Sequence, residues 1–374
     1  MATATIRDVA DRAGVSVASV SRALAGIPGV GEATRRRVLV AARELGYQPD
    51  RVAQSMRRRR TNHIGLVIST IENEFFTQVA FAAERAALRH GYSLLISSTD
   101  ERVEREEMSI TALRQQLVAG IILAPAPGDL RERGYLDSEQ TPTVLINREL
   151  DDARFPSVTA DDDEAAYQCT SWLLDQGRRR IGVISGLADV STTRERLNGY
   201  ARALAQHEIP RYPDLEIPGR ATVQGGYQAA WDLMIRSSPP DAIFVHNNVM
   251  LMGATLALGD LGISWPDHVD LAGFGVFTAS RLYQPPLTLI AQPTYEMADR
   301  AVALLVDRIA GRGLTKPSRI RLANRLVTRE HWLEQRRDRE TEMRMQLSGD
   351  GAGTSLATPG WLDMASTSRP ARPY

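Results

Sequence analysis

Thr5-Ile6-Arg7-Asp8-Val9-Ala10-Asp11-Arg12-Ala13-Gly14-Val15-Ser16-Val17-Ala18-Ser19-Val20-Ser21-Arg22-Ala23-Leu24 decides the reading of the N-terminal region. Ile6, Val9, Ala10 and Ala13 recur at i, i+3, i+4 and i+7, one apolar stripe of a short helix. Thr5 followed three residues later by Asp8 is a capping-box pattern. Gly14 can take the positive φ that stops this helix. Ser16 can cap a second helix, with Val15 and Val20 spaced as a hydrophobic staple. The pattern predicts helix, glycine-containing turn, helix: a helix-turn-helix. Two structural helices of a small bundle would read alike up to this point.

The second helix has two faces. Val20, Ala23 and Leu24 point inward, and Val17, Ala18, Ser21 and Arg22 lie outward. Small outward residues let a helix sink into a major groove, where Arg22 can give two hydrogen bonds to guanine O6 and N7. A third helix is predicted over 32–45, with Val38, Ala42 and Leu45 as its inner stripe and Gly46 as its stop. Arg35, Arg36 and Arg37 read as solvated or phosphate-facing. Pro49 breaks the chain. Asp50 can cap a short segment, 51–56, before the run Arg57-Arg58-Arg59-Arg60, whose mutual repulsion favours disorder until phosphates neutralise it.

The run TIRDVADRAGVSVASVSRALAG…VGEATRRRVLVAARELGYQPDRVAQSMR resembles, without a gap, the headpiece and hinge of the LacI/GalR family of bacterial transcription regulators. The resemblance implies a homodimer, with a tetramer left open, that sets two recognition helices on a palindromic operator. It implies that residues 50–58 become a hinge helix only on operator DNA. Family members carry a wedging leucine there, and Met56 stands in its place. Pattern and resemblance together give the DNA-binding set Thr5, Ser16, Val17, Ala18, Ser21, Arg22, Thr34, Tyr47, Arg51, Ala53 and Met56.

From Asn62 the pattern changes. HIGLVIS, YSLLISS and GIILAP are apolar strand runs, separated by helical stretches near 74–90 and 103–117. RIGVISG, DAIFVHN and DLAGFG follow, with helical stretches near 193–207, 225–237 and 249–261. Strands alternating with helices indicate parallel sheets, and the doubled series indicates two doubly wound subdomains with a ligand cleft beyond the strand ends. The family resemblance continues to about Trp332, through Ile64-Gly65-Leu66-Val67, Phe75-Phe76, the segment from Arg194 to Tyr200, and Pro285-Pro286-Leu287-Thr288. It implies the fold of periplasmic sugar-binding proteins, with crossings near 160, 291 and 321. The expected fold is thus an all-α helix-turn-helix headpiece plus an α/β periplasmic-binding-protein-like core of two doubly wound subdomains. The headpiece is placed at 1–49 and a hinge and linker at 50–61. The core takes 62–335, divided into 62–160 with 292–320 and 161–290 with 321–335. A disordered tail is expected over 336–374, with the charged stretch 334–346 also readable as a frayed helix.

The resemblance also names effector-cleft positions: Phe75, Phe76, Asn147, Arg148, Thr192, Arg196, Asn248, Gly275 and Gln292. Here the chain departs from its relatives. Asn147 stands for the usual aspartate before Arg148, Asn248 for a second, and Gly275 for a third; Ala221 replaces a common aromatic. Arg148 and Arg196 remain, and a structural ion pair with a nearby acid is the competing reading of Arg196. Lost carboxylates beside retained arginines point to an anionic effector, such as a sugar acid or sugar phosphate. A neutral sugar held by asparagine side chains is the competing reading. Phe75 and Phe76 can stack on a ring or simply fill the core.

Composition bounds the rest. The 374 residues are 43% hydrophobic and 24% charged, a globular balance with room for two or three domains. Net charge is zero, but residues 1–60 hold 12 arginines and 5 acids, so a head of +7 sits before a body of −7. Lys316 is the sole lysine. Cys169 is the sole cysteine, which excludes a disulfide scaffold and a cysteine zinc cluster. No apolar run reaches membrane-spanning length, and the N-terminus lacks a signal-peptide pattern, so the expected location is the cytoplasm, at the nucleoid. Asp161-Asp162-Asp163-Glu164 reads as a helix start rather than a metal cage. No metal or cofactor is expected. Nothing marks a nucleophile–base pair or phosphate loop, which disfavours an enzyme. The expected function is a DNA-binding repressor gated by a sugar-like effector; a sugar-binding protein without DNA binding is the alternative.

Overall fold

The computed structural model describes residues 4–24, 29–47, 61–129, 133–137, 141–151, 154–276, 280, 282–312 and 318–347. The chain divides into two compact units, Met1–Thr61 and Asn62–Tyr374. The expected hinge residues Arg51, Ala53 and Met56 lie outside the described residues.

The first unit holds three helices, α1 (Ile6–Ala13), α2 (Val17–Leu24) and α3 (Glu32–Glu44). The capping box forms: the Thr5 N–H donates to Asp8 Oδ2 at 2.7 Å, and the Asp8 N–H to Thr5 Oγ1 at 3.4 Å. Gly14 stops α1 in the left-handed region at φ 64°. Ser16 Oγ accepts from the Ser19 N–H at 3.2 Å, satisfying a free donor at the start of α2. Val9, Ala10, Ala13, Val20, Ala23, Val38, Ala41 and Ala42 make the core. Leu45 is not part of it. The helix ends at Glu44, so Leu45 sits in the cap, turned outward, and Ala41 takes the inner place.

The second unit contains two six-stranded sheets. The first has the order β11 (Arg319–Leu322), β5 (Ser157–Ala160), β4 (Thr143–Ile146), β3 (Gly120–Leu123), β1 (His63–Ile68), β2 (Ser93–Ser98). The second has β12 (Arg325–Val327), β10 (Thr288–Ala291), β9 (Asp270–Phe274), β8 (Ala242–Val245), β6 (Ile181–Ser185), β7 (Glu216–Pro218). All pairings are parallel except β10 with β12. Both faces of each sheet are covered. α4 (Glu74–Arg89) and α10 (Thr294–Ile309) lie on one face of the first sheet, and α5 (Val103–Gln115) on the other. α6 (Asp162–Asp175) and α7 (Ser191–Gln206) cover one face of the second, and α8 (Val223–Met234) and α9 (Asn248–Asp260) the other. Strands buried on both sides explain their unbroken Val, Ile and Leu runs. This is the expected core of two doubly wound subdomains.

The chain passes between the sheets at 161, at 292–293 and at 323–324. Every carboxylate of the 161–164 run has a partner within the protein. Asp161 caps α6 through the Glu164 N–H at 3.4 Å, Asp162 pairs with Arg196, and Asp163 and Glu164 both meet Arg202. α11 (Arg329–Leu347) corrects the tail boundary. Residues 336–347 continue a helix, because Glu, Arg, Met, Gln and Leu all favour one even without an apolar stripe. Its first turn is anchored where Arg329 donates to the buried Asp270 at 3.2 Å. Residues 348–374, the rest of the expected tail, lie outside the described residues. Among the described residues, no helix is long and apolar enough to cross a membrane.

Candidate functional sites

On the first unit, Val17, Ala18, Ser21 and Arg22 are all exposed on one side of α2. Arg22 Nε reaches back to the Ala18 carbonyl at 3.3 Å, leaving its terminal nitrogens at the surface among small side chains. Thr5 and Ser16 stand at the N-termini of α1 and α2, where their hydroxyls are already used as caps. Thr34 is half-buried in the first turn of α3, and Tyr47 packs against the core below α3.

On the second unit, a cleft between the two sheets is lined by Asn73, Phe75, Phe76, Asn147, Arg148, Gly186, Leu187, Val190, Thr192, Thr193, Arg196, Ala221, His246, Asn247, Asn248 and Gln292. Eight of the nine expected effector positions are in it. The ninth, Gly275, backs the wall: at φ +96° it leaves room for Asn248, whose Cβ would stand 2.9 Å from any Cβ placed there.

Strand ends and helix starts build this cleft, as in other doubly wound folds. Phe75 and Phe76 open α4, capped by Asn73, and meet edge to face at 5.0 Å between ring centres. Thr192, Thr193 and Arg196 lie in the first turns of α7, and Asn248 opens α9, capped by Asn247. Asn147 follows β4 with φ 66°, a conformation asparagine tolerates better than most residues, and so turns Asn147 and Arg148 together into the cleft.

Both cleft arginines are engaged. Arg148 Nη1 and Nη2 donate to the two oxygens of Glu101 at 2.6 and 2.7 Å, and Nη1 also reaches the Pro125 carbonyl at 2.9 Å. Arg196 Nε and Nη2 donate to Asp162 Oδ2 at 2.9 and 2.6 Å, and its plane covers Phe274 at 3.8 Å. The expectation of an anionic effector counted Arg148 and Arg196 as positive charge in the cleft. Glu101 and Asp162 stand against these two arginines and offset that charge.

Four residues of the wall carry polar atoms without a hydrogen-bond partner among the described residues, one of them Arg148 at Nε. The others are Asn147 Oδ1, Gln292 Nε2 and both ring nitrogens of His246. Burial, with Arg196 beside it, holds the His246 imidazole well below its usual pKa, so the ring is neutral. Buried polar atoms without partners are costly, and a ligand bearing both donors and acceptors would satisfy them. Sequence reasoning missed His246, Asn73, Thr193 and Asn247. His246 and Asn247 follow directly on the strand DAIFV, so the rule that ligands sit beyond strand ends could have found them. Glu101 had no such signal, because its partner is 47 residues away.

Comparison with known proteins supports both halves. Residues 5–50 match the family profile described as bacterial regulatory proteins, lacI family, and residues 170–330 a periplasmic binding protein-like domain. The HTH-type transcriptional repressor CytR of Escherichia coli (strain K12) is 33% identical over 321 residues, 85% of this chain and 93% of that protein. The lac repressor dimer bound to operator and the anti-inducer ONPF superposes with a TM-score of 0.76 at 26% identity, covering 87% of this chain and 98% of that one. The transcriptional regulator CelR in complex with cellobiose gives a TM-score of 0.67 at 30% identity, again over 87% and 98%. A helix-turn-helix unit followed by a two-sheet ligand-cleft unit, with relatives matched along nearly their whole length, means that this chain belongs to the LacI family of bacterial regulatory proteins.

Proposed function

We propose that the protein is a sequence-specific transcriptional repressor, acting as a homodimer on a palindromic operator and gated by a small uncharged effector held in the cleft of its second unit. The observation that carries this reading is one chain holding both an exposed small-residue face with Arg22 on a capped α2 and a cleft whose polar wall groups await a ligand. The effector shifts DNA affinity only by its differential affinity for two conformations of the core. Paired arginines favour a neutral, polyhydroxylated ligand, with Phe75 offering a ring face and Asn147, His246 and Gln292 the hydrogen bonds. Exposed apolar residues support pairing of two copies: Phe81 and Leu88 on α4, Ile96 on β2, Met252 and Leu256 on α9, and Leu282. Such a repressor works in the cytoplasm, at the nucleoid.

The test is selection of bound genomic fragments with and without neutral sugars, followed by Arg22→Ala. The substitution should cost about 1–3 kcal/mol per half-site and relax preference at one base pair. A uniform loss with unchanged base preference would make Arg22 a phosphate contact. A protein that binds a sugar but no DNA fragment specifically would be a sugar-binding protein instead.

A further inference from the structure

We propose that Glu101 is a built-in counter-ion that closes Arg148 to anions and so makes the cleft select uncharged effectors. This inference rests on reading the cleft as the effector site.

The geometry is that of a guanidinium holding a ligand. Two parallel hydrogen bonds of 2.6 and 2.7 Å join Arg148 to both Glu101 oxygens, the fork arrangement by which arginine grips free carboxylates and phosphates. The Arg148 side chain is 9% exposed and that of Glu101 23%. Arg148 borders the cleft and also the wider space beside it, which Pro125, Glu149, Val190 and Arg194 help to line. An anion could therefore approach Arg148 from either side, and the seat it would take is filled by Glu101.

The backbone is bent to deliver that carboxylate. Asp100 and Glu101 are consecutive non-glycine residues in the left-handed region, at φ 49° and 59°. L-residues avoid this conformation, and it persists where the surroundings impose it. Here the Asp100 N–H donates to the Ser69 carbonyl at 2.7 Å and the Arg102 N–H to the Thr99 carbonyl at 3.1 Å, which pins the turn at the end of β2. A tethered carboxylate acts at a high effective concentration, so a free anion competes poorly with it. Arg196 is paired in its turn with Asp162, but Asp162 also ties down Asn324, whereas Glu101 contacts Arg148 alone among the described residues.

Glu101→Gly is the decisive variant. Glycine takes a positive φ freely, so the turn survives while the carboxylate goes. Sodium gluconate and inorganic phosphate are titrated calorimetrically into the full-length protein at constant ionic strength. The wild type should give no saturable heat with either. Glu101→Gly should bind at least one of them roughly tenfold or more tightly than the wild type, the scale of a freed charge-assisted contact. The gain should vanish in Glu101→Gly/Arg148→Gln. If the glycine variant does not fold, Glu101→Gln, which keeps the shape and removes the charge, should show a gain in the same direction. Gluconate or phosphate binding by the wild type that Arg148→Gln abolishes would overturn the proposal, and so would folded Glu101 variants that bind anions no better. D-ribose and D-glucose, titrated in parallel, test the cleft reading by itself; their failure to bind leaves the anion comparison decisive for Glu101.

Discussion

Arg196 on α7 and Asp162 at the start of α6 form a buried pair, with two guanidinium nitrogens on one carboxylate oxygen. The other oxygen of Asp162 accepts from Asn324 at 2.9 Å, on the third passage between the sheets. The Arg196 guanidinium also donates to the His246 carbonyl. One carboxylate thus links the cleft wall to a crossing segment. Asp162→Asn would leave a buried guanidinium uncompensated and should destabilise the core by about 3–5 kcal/mol in urea unfolding. Asp162→Leu/Arg196→Met should recover much of that loss. A single-variant cost below ~1 kcal/mol would mean that water reaches the pair.

Glu195, the neighbour of Arg196, meets Arg321 on β11, so this ion pair also spans the two sheets. Burial pushes its carboxyl up to about 7, opposed by Arg321, reinforced by Asp162 and Glu149, and opposed again by Arg196. Between the ordinary value of 4.5 and about 7, the folded chain keeps a proton that the unfolded chain has released. Stability should therefore fall as pH rises through that window, by up to ~3 kcal/mol. Glu195→Gln should flatten the slope of unfolding free energy against pH there. An equal slope in both proteins would place the Glu195 pKa near its ordinary value.

Close helix contacts make some glycines irreplaceable and leave others free. A Cβ on Gly199 of α7 would lie 2.0 Å from the Asp163 carbonyl oxygen and 2.8 Å from the Tyr167 nitrogen, both main-chain atoms of α6. Gly199→Ala must spread the two helices and should cost about 1–3 kcal/mol or more. Gly259 of α9 has nothing within 4 Å of its would-be Cβ. Gly259→Ala should gain roughly 0.5–1 kcal/mol. Thermal unfolding of the two variants should move in opposite directions.

What was legible in the sequence was whatever local chemistry decides. The Thr5–Asp8 box, the Gly14 stop and the Ser16 cap act within four residues of themselves, and each forms as read. The strands of the core are apolar on both faces, so their runs stand out without a partner in view. Leu45 fitted the helical period, but the helix ends one residue earlier and turns it outward. The charged stretch after Trp332 lacks a stripe, yet helix formation there needs only propensity. The partners of the cleft arginines were not legible for a different reason. Counting carboxylates at expected positions could not reveal Glu101 or Asp162, which reach the arginines from 47 and 34 residues away. Charge balance in a site belongs to the tertiary structure.

Leu282 is 80% exposed and Leu256 53%, and a hydrogen bond of 3.1 Å between the Tyr283 hydroxyl and Thr255 Oγ1 joins the segment of the one to the helix of the other. Met252, also exposed, lies one helical turn from Leu256 on α9. Large apolar side chains gathered on one face mark a surface that is covered in the working protein. On the function proposed above, a second copy of the chain is that cover, since each half of a palindromic site needs its own α2. Leu256→Glu and Leu282→Glu should each shift sedimentation from dimer towards monomer at micromolar concentration, with circular dichroism unchanged. Operator affinity should fall with the dimer and recover at higher protein concentration, because the loss lies in assembly and not in the recognition helix. A variant that stays dimeric with glutamate at both positions would move the interface to another face, and α4 and β2, with Phe81, Leu88 and Ile96, would then be the place to substitute.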